Sequence, residues 1–285
     1  MLRASDLSTF LARNPAAVVA ELTAVRGSSP REAGTFMLIG AAETLGTIGG
    51  GALEHMVIER ARQVIREGQQ GSDLDVPLGP EIGQCCGGRV TVAMRIVDEA
   101  KARELMARVA ADESRLPSIF VFGAGHVGQA LARALVLLPL KVTVVDTRAD
   151  ELVGLPEGVT GKVAAMPEAV VRRAPAGSVF LVLTHDHALD FLICAEALAR
   201  QDAAYVGMIG SATKKARFSN WFKGEGYDPA ALSRLVMPIG AMGLGDKRPE
   251  VIAALAAAEI MVHIGRGEVS AGRPDTKEVD TVHGR

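Results

Sequence analysis

A chain of 285 residues with a formal net charge of −2 is longer than most single domains, so two domains, each with its own core, are expected. Its charged residues are mixed along the chain rather than blocked, which excludes the electrostatic footprint of a nucleic-acid binder or of a protein drawn to an anionic membrane. Every long apolar run is broken by charge, Gly or Pro before membrane-spanning length, and the first residues lack the apolar core of a signal peptide. A cytosolic protein with a small ligand is therefore expected. Three cysteines, Cys85, Cys86 and Cys194, are too few for a disulfide framework and leave reactive or metal-linked thiols as roles to consider.

Residues 1–14 read as a short helix, 17–26 as a strand and 35–39 as a second strand. The intervening loop gathers turn formers and carries Ser28, Ser29 and Arg31, which together can hydrogen-bond an anion; a plain polar hairpin loop is the alternative. Gly46-Thr47-Ile48-Gly49-Gly50-Gly51 then opens into a helix whose apolar positions 53, 56, 57, 61, 64 and 65 recur at three and four. Gly49, Gly50 and Gly51 just before a helix start can converge unpaired N–H groups on a negative group. Glu54 and His55 fall in that helix's first turn, His55 as a structural or donor residue.

Cys85-Cys86-Gly87-Gly88-Arg89 precedes the alternating strand 90–96. Thiols set before two glycines and an arginine offer a nucleophilic or metal-ligating sulfur whose thiolate a cation and backbone N–H groups would stabilise; a pair of small buried hydrophobes is the structural alternative. The spacing is not that of a zinc site. Residues 98–111 read as a helix and 112–117 as a linker, which ends the first domain at residue 112.

The stretch 118–146 reads as strand, helix and parallel strand. An apolar run at 119–122 enters a turn at Gly123, a helical pattern follows from Val127 to about Leu138, and a second strand ends on Asp146. Gly123, Gly125 and Gly128 have the spacing that serves a sharp turn, close approach of backbone to a pyrophosphate, and close helix-to-strand packing, with His126 at the helix start. Packing alone is the alternative role. A third strand at 178–183 ends in Thr184-His185-Asp186-His187, where ligand contacts and a helix cap by Asp186 compete as readings. Cys194 falls in the following helix as a core residue. A strand at 203–209 leads into Gly210, Ser211 and Lys214, a further anion cradle that lacks P-loop spacing. A glycine-rich loop, 238–248, precedes an alanine-rich helix to about Ile264. Glu259 in that helix is expected to be paired or to face a partner. The second domain thus covers 113–265, and 266–285 form a polar, loose tail.

In order, Gly27-Ser28-Ser29-Pro30-Arg31 through Gly34, Gly46 through Gly51, Cys86-Gly87-Gly88-Arg89, Gly123-Ala124-Gly125-His126-Val127-Gly128, Gly207 to Ser211 with Lys214, and Pro238 to Glu250 resemble the XdhC/CoxI family, accessory proteins of xanthine dehydrogenase and related molybdenum hydroxylases. The resemblance spans about residues 15–265. It implies an α/β chain with a small N-terminal α+β domain and a Rossmann-like, doubly wound parallel-sheet domain. It also implies a chaperone that holds molybdenum cofactor (molybdopterin), protects it while a cysteine desulfurase supplies sulfur, and delivers it to the molybdoenzyme. Such a guest asks for anion cradles and a soft metal ligand, for which Cys86 matches the family pattern and Cys85 is the alternative; a homodimer through the last helix and a nucleotide in the Rossmann crevice are further expectations. The competing class is an NAD-dependent oxidoreductase, with Asp146 receiving a ribose hydroxyl. Against it, neither Tyr205 nor Tyr227 has a lysine four residues later. A purely structural assembly factor, for which Cys86 would be dispensable, is the third.

Overall fold

The computed structural model describes residues 2–79, 87–241 and 243–270, with backbone alone for 266–270. The chain divides into two compact units, Met1–Arg115 and Leu116–Arg285.

The first unit orders its elements as α1 (Ala4–Arg13), β1 (Val18–Arg26), β2 (Phe36–Ile39), β3 (Thr44–Gly46), α2 (Gly51–Glu67), β4 (Gly71–Pro77), β5 (Arg89–Ile96) and α3 (Glu99–Ser114). Its strands form an antiparallel sheet in the order β3-β2-β1-β5-β4. The alternation of β1 sends Val18, Ala20 and Leu22 to one face, where Leu53, Val57, Ala61 and Val64 of α2 meet them. Val19 goes to the other face, with Leu7 and Phe10 of α1 and Leu105 and Val109 of α3. Each of the Val, Leu and Phe side chains among these contributes about 1.5–3 kcal/mol through burial. The β4–β5 pairing continues past the strands, with Leu78 N–H donating to the Gly88 carbonyl at 2.7 Å and Gly87 N–H to the Leu78 carbonyl at 2.9 Å. Strands β4 and β5 are therefore the two arms of a hairpin.

The second unit continues with β6 (Ser118–Phe122), α4 (His126–Leu135), β7 (Lys141–Asp146), β8 (Val159–Val163), α5 (Pro167–Arg173), β9 (Val179–Val182), α6 (His187–Ala199), β10 (Tyr205–Met208), α7 (Ala212–Gly224), β11 (Leu235–Val236) and α8 (Pro249–Ser270). Its six strands are all parallel, in the order β11-β10-β9-β6-β7-β8. Counted within the unit, this is the 3-2-1-4-5-6 order of a dinucleotide-binding sheet, with the reversal of direction between β6 and β9. Helices α4 and α8 cover one face, through Leu131, Leu135, Ala256 and Ile260. Helices α5, α6 and α7 cover the other, through Val171, Ile193 and Phe218. The α/β class, the α+β first unit and the Rossmann-like second one agree with the sequence reading.

The differences lie at edges. Strands β3, β4, β8 and β11 and helix α5 were not anticipated; β4 and β8 are edge strands, and four of the five residues of β8 are exposed, while β4 shows only a short alternation, Leu74 and Val76, packed on the core. Helix α3 runs on to Ser114, through residues expected to be linker, α4 stops at Leu135 rather than about Leu138, and α8 passes Ile264 to reach Ser270.

Candidate functional site

In the first unit, three loops that are far apart in sequence touch. Gly27 closes on Gly87 and Gly88: a Cβ on Gly27 would sit 3.3 Å from the Gly88 Cα. In return, a Cβ on Gly88 would overlap the Ser28 carbonyl and lie 2.9 Å from that of Arg26. On the other side, a Cβ on Gly49 would lie 2.8 Å from Pro30 Cγ and 3.8 Å from Arg31 Cγ. The 27–31 loop is thus wedged between the Gly46–Gly51 turn and the segment that follows Cys86, and contacts this close require glycine on the turn side and on the hairpin side. Ser28 and Arg31 are exposed, and a hollow of about 770 Å³ is lined by Arg31, Gly34, Phe36, Gly46, Thr47 and Arg108, a size usual for small-ligand sites. Arg108 lies over the Phe36 ring at 5.0 Å and pairs with Glu21 at 2.7 Å, so Arg31 is the less committed cation.

The N–H groups of Ile48, Gly49 and Gly50 in the glycine turn are used internally. Glu54 Oε2 accepts the Thr47 hydroxyl at 2.5 Å and the N–H groups of Ile48 and Gly50, both at 3.2 Å, while Gly49 N–H donates to Thr47 Oγ1 at 3.2 Å. Gly46, Gly49, Gly50 and Gly51 have φ of 85°, 136°, 77° and 65°, which favour glycine and account for the triplet by conformation. Around Gly50, nothing lies within 4 Å of a Cβ position.

Cys85 and Cys86, the expected metal-side ligands, lie outside the described residues. Of their neighbours, Gly87 is exposed with open space at its Cβ position. Arg89, expected to activate the thiolate, is committed elsewhere: it grips Asp75 with Nε at 2.9 Å and Nη2 at 2.8 Å, and its guanidinium holds the Asp75 carboxyl below the usual carboxylate range. Cys194 is fully buried, and burial, then Asp190, pushes its thiol well up, as a core residue requires. Among the described residues no cluster of three or more His, Cys, Asp or Glu could hold a metal ion.

In the second unit the three glycines at the β6–α4 junction separate by role. Gly123 turns at φ 108°, and a Cβ there would overlap the Leu183 carbonyl; one on Gly128 would overlap the Gly123 carbonyl. Gly125 has φ −68° and open space at its Cβ position, so neither turn nor packing demands glycine. This is the position where backbone can approach a ligand closely. Gly125, the exposed His126 and Gln129 line a cleft of about 350 Å³ with Glu250. Asp146, read as a ribose acceptor, has both oxygens engaged: Oδ2 accepts Ala124 N–H at 2.8 Å, and Oδ1 accepts Arg148 N–H at 3.0 Å and Arg148 Nε at 3.2 Å. Burial pushes this carboxyl up, but the Arg148 guanidinium and the two backbone N–H groups outweigh it and leave the pKa lowered.

Gly210, Ser211 and Lys214 sit together beside Thr184, His187, Phe191 and Arg217, around a hollow of about 480 Å³. Ser211 caps α7. The Lys214 ammonium, expected to face an anion, instead pairs with the fully buried Asp190 and donates to the Ile209 carbonyl at 3.1 Å. Asp190 also accepts Thr184 N–H at 2.8 Å and its hydroxyl at 2.7 Å, so one carboxylate ties the ends of β9 and β10 to α6 and α7. Asp186 caps α6 through Ala188 N–H at 2.7 Å, which satisfies the capping reading. Sequence reasoning missed Glu54 as a bonded acid and Asp190 altogether; the signal for Asp190 was an acid inside the apolar run 188–195, the same sign that flagged Glu259. Glu259 proves paired, accepting Gly240 N–H at 2.8 Å.

Residues 10–75 match the XdhC and CoxI family and residues 119–260 match the XdhC Rossmann domain. The uncharacterized protein YqeB of Escherichia coli (strain K12) is 26% identical over 261 residues, 85% of this chain but 42% of that protein, so the chain spans less than half the length of this relative. A crystal structure described as a xanthine dehydrogenase from Bacillus halodurans shares the fold, with a TM-score of 0.75 at 18% identity over 96% of this chain and 98% of that one. With both units matched in chain order, the protein belongs to the XdhC and CoxI family.

Proposed function

We propose that this chain is an accessory protein of a molybdenum hydroxylase of the xanthine dehydrogenase type, and that it carries molybdenum cofactor to that enzyme. The observation that supports this most is the meeting of three loops in the first unit: Ser28 and Arg31 from one, the Gly49–Gly51 turn from the second, and Gly87, which follows Cys86, from the third. The residues fit the guest by kind. The exposed Ser28 hydroxyl and the Arg31 guanidinium suit a phosphate, glycines with open Cβ positions allow backbone to approach a flat pterin, and a thiolate from Cys86, or alternatively Cys85, suits a soft metal centre. The cofactor supplies the redox-active metal chemistry only once it is in the recipient enzyme. This chain's residues bind it and orient it.

A cysteine desulfurase and the apo-hydroxylase are the partners of this reading, with a second copy of the chain as a third; the Rossmann crevice beside Gly125 is left for a separate nucleotide. The oxidoreductase alternative drew on Asp146, whose oxygens already serve Ala124 and Arg148. The test is to purify the chain from a molybdate-fed host, measure molybdenum and the fluorescence of oxidised pterin, and mix it with apo-hydroxylase. Bound pterin and molybdenum, with hydroxylase activity rising on mixing, are expected. Bound NAD without pterin would favour the oxidoreductase, and neither ligand would favour a structural assembly factor.

A further inference from the structure

Four glycines in six residues make a turn with little conformational preference of its own, and ordering it costs more backbone entropy than ordering a turn of that length with fewer glycines. It therefore needs an anchor. The anchor is Glu54, one turn into α2, whose single oxygen Oε2 gathers the Thr47 hydroxyl and the Ile48 and Gly50 N–H groups. A carboxylate in the first turn is also favoured by the helix dipole. These are the same donors that would otherwise receive a ligand's negative group, and an incoming anion would have to expel an acid that is covalently tethered beside them.

The consequence runs outward from the turn. Glu54 fixes Ile48 to Gly50, Gly49 packs on Pro30, and the 27–31 loop closes on Gly88 through the Ser28 carbonyl. We propose that Glu54 is a positioning residue of the cofactor site: it serves as an internal anion that sets the turn so that Ser28 and Arg31 are presented, and it stays in place when the guest binds. The phosphate of the guest is then received by Ser28 and Arg31 and not by the Gly49 and Gly50 N–H groups. This rests on the carrier reading above.

The experiment uses the full chain from a molybdate-fed host, comparing wild type with Glu54→Ala and Glu54→Gln for molybdenum and pterin per chain, together with backbone hydrogen exchange. Glu54→Ala is expected to lower loading about tenfold, the scale of losing an outer-shell partner, and to speed exchange across residues 27–31 and 46–51 while the thermal midpoint of the second unit stays put. Glu54→Gln keeps an acceptor oxygen for the same donors and is expected to restore most of the loading. Should Glu54→Ala not accumulate as folded chain, Thr47→Val, which removes the donor to Glu54 and the acceptor of the Gly49 N–H while leaving α2 intact, is expected to show the same two changes more weakly. Loading of Glu54→Ala equal to wild type overturns the proposal, and loading above wild type overturns it in favour of an acid that competes with the guest. A wild type free of molybdenum and pterin defeats the carrier reading instead; the exchange data then decide alone, and unchanged exchange in Glu54→Ala overturns the role of Glu54.

Discussion

Gly88 and the carbonyl of Ser28 are packed so closely that a single methyl group on Gly88 would overlap the oxygen. This contact locks the hairpin arm that follows Cys86 to the loop bearing Ser28 and Arg31. Backbone meets backbone there, so no side chain can swing aside to relieve the overlap. Gly88→Ala is expected to destabilise the first unit by about 1–3 kcal/mol, as overpacking does, read as a shifted midpoint in urea unfolding followed by far-UV circular dichroism. A midpoint equal to wild type would show that the two loops are not locked.

The glycines of the β6–α4 junction should separate in the same way. Gly128→Ala meets the Gly123 carbonyl and is expected to cost about 1–3 kcal/mol. Gly125→Ala meets open space at an ordinary φ and is expected to cost no more than about 1 kcal/mol, the usual penalty for alanine at a helix cap. Thermal unfolding of the two variants checks the order, and the reverse order would contradict the division of roles.

Much of this was legible in the chain. The β6–α4–β7 unit announces itself because each of its rules is local: an apolar run, glycines at fixed spacing and an amphipathic helix. Edge strand β8 was not legible, because a strand with nearly every residue near water needs no alternation; in β4 only Val76 is buried, too short a signal to stand out. Nor were the partners of Glu54, Asp190 and Arg89 legible: the sequence shows an acid or a cation, but which donor it meets depends on how distant segments pack. For that reason the Lys214 ammonium and the Gly50 N–H, which read as free for an anion, turn out to have internal acids upon them.

Asp146 gives a pH-dependent test. Its carboxyl is held below the ordinary carboxylate range in the folded chain, so it adds stability that is fully present above the unfolded value of about 3.9 and is lost as pH falls through the folded value. Asp146→Asn keeps one acceptor oxygen and leaves part of the Ala124 and Arg148 donors unmatched. It is expected to cost about 1–3 kcal/mol near neutral pH, with the gap to wild type closing below about pH 4. Thermal midpoints measured from neutral to acid pH check this; a gap that stays constant across that range would contradict it.

The central claim is that a sulfur beside Gly87 and the cation of Arg31 grip the same guest. The most direct measurement is molybdenum and pterin per chain in Cys86→Ala and Arg31→Ala, each purified beside wild type from a molybdate-fed host, with Cys194→Ala as a thiol control from the core. The expected result is that Cys86→Ala loses both molybdenum and pterin, Arg31→Ala loses most of both, and Cys194→Ala that folds keeps them. Wild-type loading in Cys86→Ala and Arg31→Ala alike would contradict the account.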